Sequence, residues 1–218
     1  MTGQLRNTNL NRRLLLTGAS SLFLTACSND LIGPPPAPQI YALKPAAPAR
    51  QSGGKVGWAL EIARPHASDN LDGIRIALAK TQTELDYYAD ASWPDHLPVL
   101  VQTAILAGFE ASGRIESVFR EEDALHADYE LSTDIRDFEA RYAVPDGIPT
   151  AAVTLVCHMS DTRTRRIAAS LTVSEAEPAS ANSVNAVVEA FDTALGKAVG
   201  QITQWALTLP APPAPSSE

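Results

Sequence analysis

The stretch VTLVCHMSDTRTRRIAASLTV, residues 153–173, decides the fold class. Val153, Leu155, Cys157 and Met159 alternate with Thr154, Val156 and His158, a polar turn SDTRTRR follows, and Ile167, Ala169, Leu171 and Val173 resume the alternation. Side chains on a strand point to opposite faces in turn, so a period of two that stops at a polar turn and restarts predicts a β-hairpin with one buried face. Cys157 falls on the apolar face and His158 on the other, which keeps thiol and imidazole apart and predicts a buried, inert cysteine. The run RTRR, residues 163–166, reads as a solvated turn.

Upstream, Tyr129, Leu131, Thr133 and Ile135 alternate with acids before the apolar phase shifts to Phe138, Ala140 and Tyr142. One extra residue near Arg136 and Asp137, a β-bulge, accounts for that shift. The acidic run REEDALHADYE before it reads as a helix start or a solvated loop. Ile74, Ile76 and Leu78, a polar turn, then Leu85 and Tyr87 make another hairpin, while Val56, Trp58, Leu60 and Ile62 make a half-buried strand ended by Pro65.

Two helices complete the pattern. Residues 182–207 carry Val184, Val187, Val188, Phe191, Leu195, Ala198, Val199, Ile202 and Trp205 at the three, four, seven spacing of a core-facing stripe. Gly196 and Gly200 would let another backbone come close, with the sheet the expected partner. Residues 95–112 begin in WPDHLP and stop before Gly113, a C-terminal cap. In this helix Asp95, Gln102, Thr103 and Glu110 share a sector with Val99 and Leu106. Apolar nearly all round, it is expected to be covered on more than one side, either by the second helix alone or also through a subunit or partner contact at Val99 and Leu106. The fold expected is α+β: a single domain with a largely antiparallel sheet and two main helices on one face.

The N-terminus reads differently. Arg12 and Arg13 precede an uncharged, leucine-rich run over residues 14–26 that closes in Leu24-Thr25-Ala26-Cys27. That is the layout of a secretory signal, and its roughly 13 apolar residues fall short of the ~20 needed to span a bilayer. The closing four residues resemble a bacterial lipobox, which implies lipidation of Cys27. Ser28 stands where inner-membrane retention would place Asp, so an outer-membrane anchor facing the periplasm is expected. GPPPAP and LPAPPAPSSE are rich in proline, which favours extended polyproline II. The chain thus divides into a signal peptide (1–26), a lipidated cysteine and stalk (27–38), a domain (39–208) and a disordered tail (209–218).

Removing the signal takes three of the 17 basic residues and none of the 25 acidic ones, leaving a formal charge near −11. Such a surface is a poor partner for nucleic acid, whose phosphates require Lys and Arg. His66, His96, His126 and His158 lie about 30 residues apart, without the close spacing of a metal-binding motif. SGGKVG lacks the P-loop pattern, and GxSxG is absent from the chain. No catalytic residue, metal site or cofactor is expected.

The order of features, IYALKP, WALEIARP, LDYYADASWPDHLPVLVQ, ADYELSTDIRDFEA and the closing VGQITQWAL, resembles the ABC-type transport auxiliary lipoprotein family. That resemblance implies a lipid-anchored periplasmic subunit, not an enzyme, which serves an inner-membrane ABC permease, its ATPase and a mammalian-cell-entry (MCE) protein in moving phospholipid or other hydrophobic molecules. It implies action by docking, for which Trp93, Val99 and Leu106 are the candidate contacts, and self-association into rings as in some members. The alternative is a carrier lipoprotein that shields a lipid itself, which requires an apolar cavity of several hundred Å³.

Overall fold

A computed structural model describes residues 38–46, 53–81 and 83–212. The signal peptide, Cys27 and the stalk up to residue 37 lie outside the described residues. The elements in chain order are β1 (Gln39–Ile40), β2 (Leu60–Ile62), β3 (His66–Ala67), β4 (Arg75–Ala79), β5 (Leu85–Ser92), α1 (Leu97–Ser112), β6 (Val118–Arg120), β7 (Tyr129–Arg141), β8 (Thr150–Asp161), β9 (Arg166–Pro178) and α2 (Val184–Ala206).

β7 organises the sheet. One edge pairs antiparallel with β8, which pairs antiparallel with β9. The other edge takes three short strands in succession, all parallel: β2 at Leu60 opposite Tyr129, β3 at His66 opposite Asp134, and β4 at Leu78 opposite Ala140. β6 adds parallel to β2, β5 antiparallel to β4, and β1 parallel to β5. The long strands pair antiparallel, as expected, while the short strands make the sheet partly parallel. The chain passes through β5 and α1 between these short strands and β7, and such a crossover brings strands back parallel.

The expected bulge is present: the β7–β8 register shifts between Ile135 and Asp137, so that Leu131, Ile135, Phe138 and Ala140 all face inward. A second shift, between Met159 and Ser160, sets Ile167 opposite Ser160. Ile167 is 61% exposed, a correction to its expected place on the buried face.

α1 ends as expected, with Gly113 left-handed at φ 66° and its amide donating to the Glu110 carbonyl. It starts at Leu97, two residues later than expected, with Pro98 in its first turn. α2 starts at Val184, where the Ser183 hydroxyl accepts the Ala186 amide at 3.4 Å. Asn182 stays outside the helix because its side chain accepts from the Tyr142 hydroxyl and donates to the Asp146 carbonyl.

Both helices lie on one face of the sheet. α2 packs along β8 and β9, and α1 packs against α2, β2 and β6. Between them Phe138 and Phe191 stack at 4.6 Å, and the Trp93 ring meets their edges at 6.2 and 5.9 Å. Gly196 does permit a close approach, but of a different backbone from the one expected. A Cβ there would lie 3.2 Å from the Ala46 carbonyl oxygen, so the segment after β1 crosses α2 at this point. The Lys44 amide donates to Asp192 at 2.6 Å and fixes that crossing. The start of the expected disordered tail is docked: the Trp58 indole donates to the Leu209 carbonyl and the Tyr129 hydroxyl to the Pro210 carbonyl. Residues 213–218 lie outside the described residues.

Candidate functional site

The outer strip of α1 presents Val99, Thr103, Leu106, Ala107 and Glu110, spaced so that they share one side of the helix. Thr103, Ala107 and Glu110 are exposed, and Val99 and Leu106 are half-buried with part of each side chain open to solvent. The Arg120 guanidinium, from the end of β6, donates to the Thr103 hydroxyl at 3.1 Å and borders the strip. Val99 and Leu106 are thus brought together. Trp93 is not with them. Only 2% exposed, it belongs to the core beneath α2, and its expected partner contact is corrected: the chain turns inward as β5 ends, with the Trp93 amide donating to the Ile74 carbonyl.

Gln102 was grouped with the polar sector of the helix, yet it is buried, donating from Nε2 to the Ile62 carbonyl at 3.0 Å. Its task is internal. It satisfies a carbonyl left over where β2 ends, which an unpaired buried acceptor requires.

Beside α1 runs a groove of about 240 Å³ lined by Leu43, Pro45, Ala46, Leu100, Ala107 and Val199, among others. Its lining is apolar, but its volume falls below the ~300–1,000 Å³ typical of small-molecule pockets. Two of the larger clefts carry several charged side chains. One of about 630 Å³ lies where Glu61 and Glu130 sit side by side in register, with His126, Asp161, Arg163 and Arg165 around them. Another, of about 750 Å³, is lined by Lys80, Asp137, Glu139 and Arg141. Arg141 is ion-paired there with Asp137 and Glu139 at 2.8 and 2.9 Å. A further cleft, of about 360 Å³, lies beside the loop between β7 and β8, lined by Leu78, Tyr142 and Pro145 together with Lys80, Glu84 and Asp146.

Burial, and then the neighbouring charges of Glu130 and Glu121, raise the Glu61 carboxyl above its ordinary value. Sequence reasoning missed this pair because the β2–β7 pairing is parallel and joins residues about 70 apart. The Cys157 thiol is buried beside the Thr133 hydroxyl at 3.6 Å and is pushed up to about 11, chiefly by loss of water. His158 faces the other side of the sheet and bonds Ser170 at 2.7 Å, so the two groups are separated as their alternation predicts. His96 bonds Asp72 at 2.9 Å near the start of α1. Among the described residues, no three side chains of His, Cys, Asp or Glu come together in a way that could hold a metal ion. Residues 163–166 form the tip of the β8–β9 hairpin and the first residue of β9, and the acidic run contributes a single exposed turn at Glu121–Asp123.

Residues 41–203 match the model of the ABC-type transport auxiliary lipoprotein components. The chain belongs to that family. The match runs from just after β1 to near the end of α2, so it takes in the sheet, α1 and the outer strip of that helix. The crystal structure of XCC0632 from Xanthomonas campestris, of family DUF330, is similar at TM-score 0.73 and 30% identity, covering 78% of this chain and 95% of that one. A crystal structure of an uncharacterized protein shares the fold at TM-score 0.60 and 12% identity, covering 78% of this chain and 99% of that one. The protein bll6063 of Bradyrhizobium diazoefficiens is 30% identical over 118 residues, which make up 54% of this chain. The chain spans 31% of that relative's length.

Proposed function

We propose that this family member is a periplasmic accessory subunit, held to the outer membrane by lipid on Cys27, that docks onto an ABC transporter of the MCE-associated type. The observation that carries the proposal is the family match over residues 41–203, taken with a partly exposed apolar strip on α1 at Val99 and Leu106. The transporter would move phospholipid or another hydrophobic molecule, and its permease, ATPase and MCE protein would be separate chains. This subunit would contribute position, not catalysis. Two acyl chains bury enough methylene groups, at about 0.8 kcal/mol each, to make anchoring durable. The strip on α1 would then meet either the MCE partner or a second copy of the chain.

A photo-crosslinking amino acid at Val99, at Leu106, or at Glu175 on β9, half-buried like them, as a control tests the docking face in living cells. The proposal expects adducts with a transporter subunit or a second copy from positions 99 and 106, and none from 175. Adducts from 175 alone would move the docking face off α1, and the absence of any adduct would remove it.

A further inference from the structure

Val144 and Ile148 are 61% and 58% exposed, yet they belong to one short loop, YAVPDGIP, residues 142–149, between β7 and β8. Ala143 and Pro145 are exposed beside them, and Asp146 is the loop's one charged residue. The loop is held rigidly. The Gly147 amide donates to the Val144 carbonyl at 3.1 Å, closing a turn in which Asp146 takes the left-handed conformation at φ 58°. The Asn182 side chain donates to the Asp146 carbonyl at 3.1 Å and accepts from the Tyr142 hydroxyl at 2.9 Å. That hydroxyl also meets the Tyr88 hydroxyl at 2.9 Å. A Cβ on Gly147 would sit 2.7 Å from a methyl of Val144, so the turn itself fixes the position of that side chain. The turn's hydrogen bonds serve the start of α2, but the two aliphatic side chains it holds out in water make no use of that, and exposed apolar patches mark contacts made with something else.

The strand directions say what the loop faces. β1 runs parallel to β5, β5 antiparallel to β4, and β4 parallel to β7. β1 therefore runs opposite to β7, and the chain arrives at Gln39 from the end of the sheet where β7 finishes and the 142–149 loop projects. Gln39 comes twelve positions after Cys27, an extended reach of about 37 Å at ~3.1 Å each. The other end of the sheet, roughly 35 Å away along β7, also exposes Leu125 and Ile167. There they stand among Glu121, Glu122, Arg165 and Arg166.

We propose that the 142–149 loop rests in the headgroup region of the bilayer that anchors the chain, with Val144 and Ile148 entering it as a second membrane signal beside the lipid. The proposal rests on the lipid anchor argued above. Asp146 in the loop and Lys80, Glu84 and Arg141 in the clefts beside it offset one another, so the contact is carried by the apolar side chains and does not depend on anionic lipid or on low salt.

The test uses the full lipidated protein in vesicles of phosphatidylcholine and phosphatidylethanolamine with brominated acyl chains, which quench indoles close to them. The three native tryptophans, Trp58, Trp93 and Trp205, are buried or half-buried in the domain and supply the background. Ile148→Trp adds an indole to the loop, and Ile167→Trp adds one to an equally exposed position at the far end. Bromine is expected to remove most of the emission added at 148 and little of that added at 167, in low and high salt alike. Circular dichroism matching the unaltered protein confirms that both variants fold. An indole at 148 that stays unquenched, or quenching equal at the two positions, overturns the loop contact while the anchor stands, provided the protein floats with the vesicles. An indole at 148 shielded only when a transporter subunit is added assigns the loop to a protein contact and overturns it too. If the protein does not float at all, the anchor fails, and the orientation of the loop fails with it.

Discussion

Replacing Trp93 with alanine separates a core residue from a docking residue. Its ring fills the space at the edges of Phe138 and Phe191, at 6.2 and 5.9 Å, and the residue is 2% exposed. A buried aromatic removes about 150–250 Å² from water, which at ~25 cal/mol per Å² is about 4–6 kcal/mol as an upper bound. Each edge contact adds about 0.5–1.5 kcal/mol, while partial collapse of the cavity returns some of the loss. Trp→Ala changes in cores cost about 3–5 kcal/mol, a large part of the ~5–15 kcal/mol that holds a domain folded. With a urea slope of about 2 kcal/mol per molar, the midpoint should fall by about 2 M, read by circular dichroism. Trp93→Phe keeps a ring against both neighbours but leaves a smaller cavity, and should cost less than Trp93→Ala. A loss under about 1 kcal/mol for Trp93→Ala, with partner binding reduced, would refute the core assignment.

Gly196→Val pushes a branched side chain against Ala46 and should cost about 1–3 kcal/mol, with faster hydrogen exchange at the Lys44 amide that crosses α2 there; unchanged exchange would place the close approach elsewhere. Glu61→Gln should raise the unfolding midpoint at neutral pH. The folded carboxyl is raised, so the native state is most stable below the unfolded glutamate value and loses stability as pH rises through the folded one; the gain from the variant should therefore shrink in acid. A gain that persists in acid would point to something other than ionisation. Cys157, with a thiol near 11, has a thiolate fraction of about 10⁻³ at pH 8 and should react with a disulfide reagent only as fast as the domain opens. Rapid reaction in the native state would contradict its burial.

What could be read from the sequence was what is local. The two hairpins and the β7 bulge showed because period-two alternation and its phase slip lie within neighbouring residues, as between Ile135 and Phe138. The parallel pairings of β2, β3 and β4 with β7 left no such trace, because each joins residues more than 60 apart. The Glu61 and Glu130 pair was hidden for the same reason. Periodicity also cannot tell which polar group a helix turns inward: Gln102 shares its sector with Thr103 and Glu110, and only the end of β2, with the carbonyl it bonds, sets it apart. Ile167 kept the alternation on paper, but a register slip of one residue moved it to the open face. Val99 and Leu106 drew notice because a helix apolar all round asks what covers it, and both are partly exposed. Val144 and Ile148 were passed over because a search for periodic faces does not stop at a loop.

The central claim is that this chain, anchored through Cys27, docks onto an ABC transporter. Affinity capture of the tagged, full-length protein from detergent-solubilised membranes, with identification of co-purifying chains by mass spectrometry and Cys27→Ala as the control, tests it most directly. An ABC permease or an MCE-domain protein should be retained with the native chain, and the Cys27→Ala chain should leave the membrane fraction and lose it. Recovery of the lipidated chain alone, or with lipid but no transporter subunit, would contradict the account.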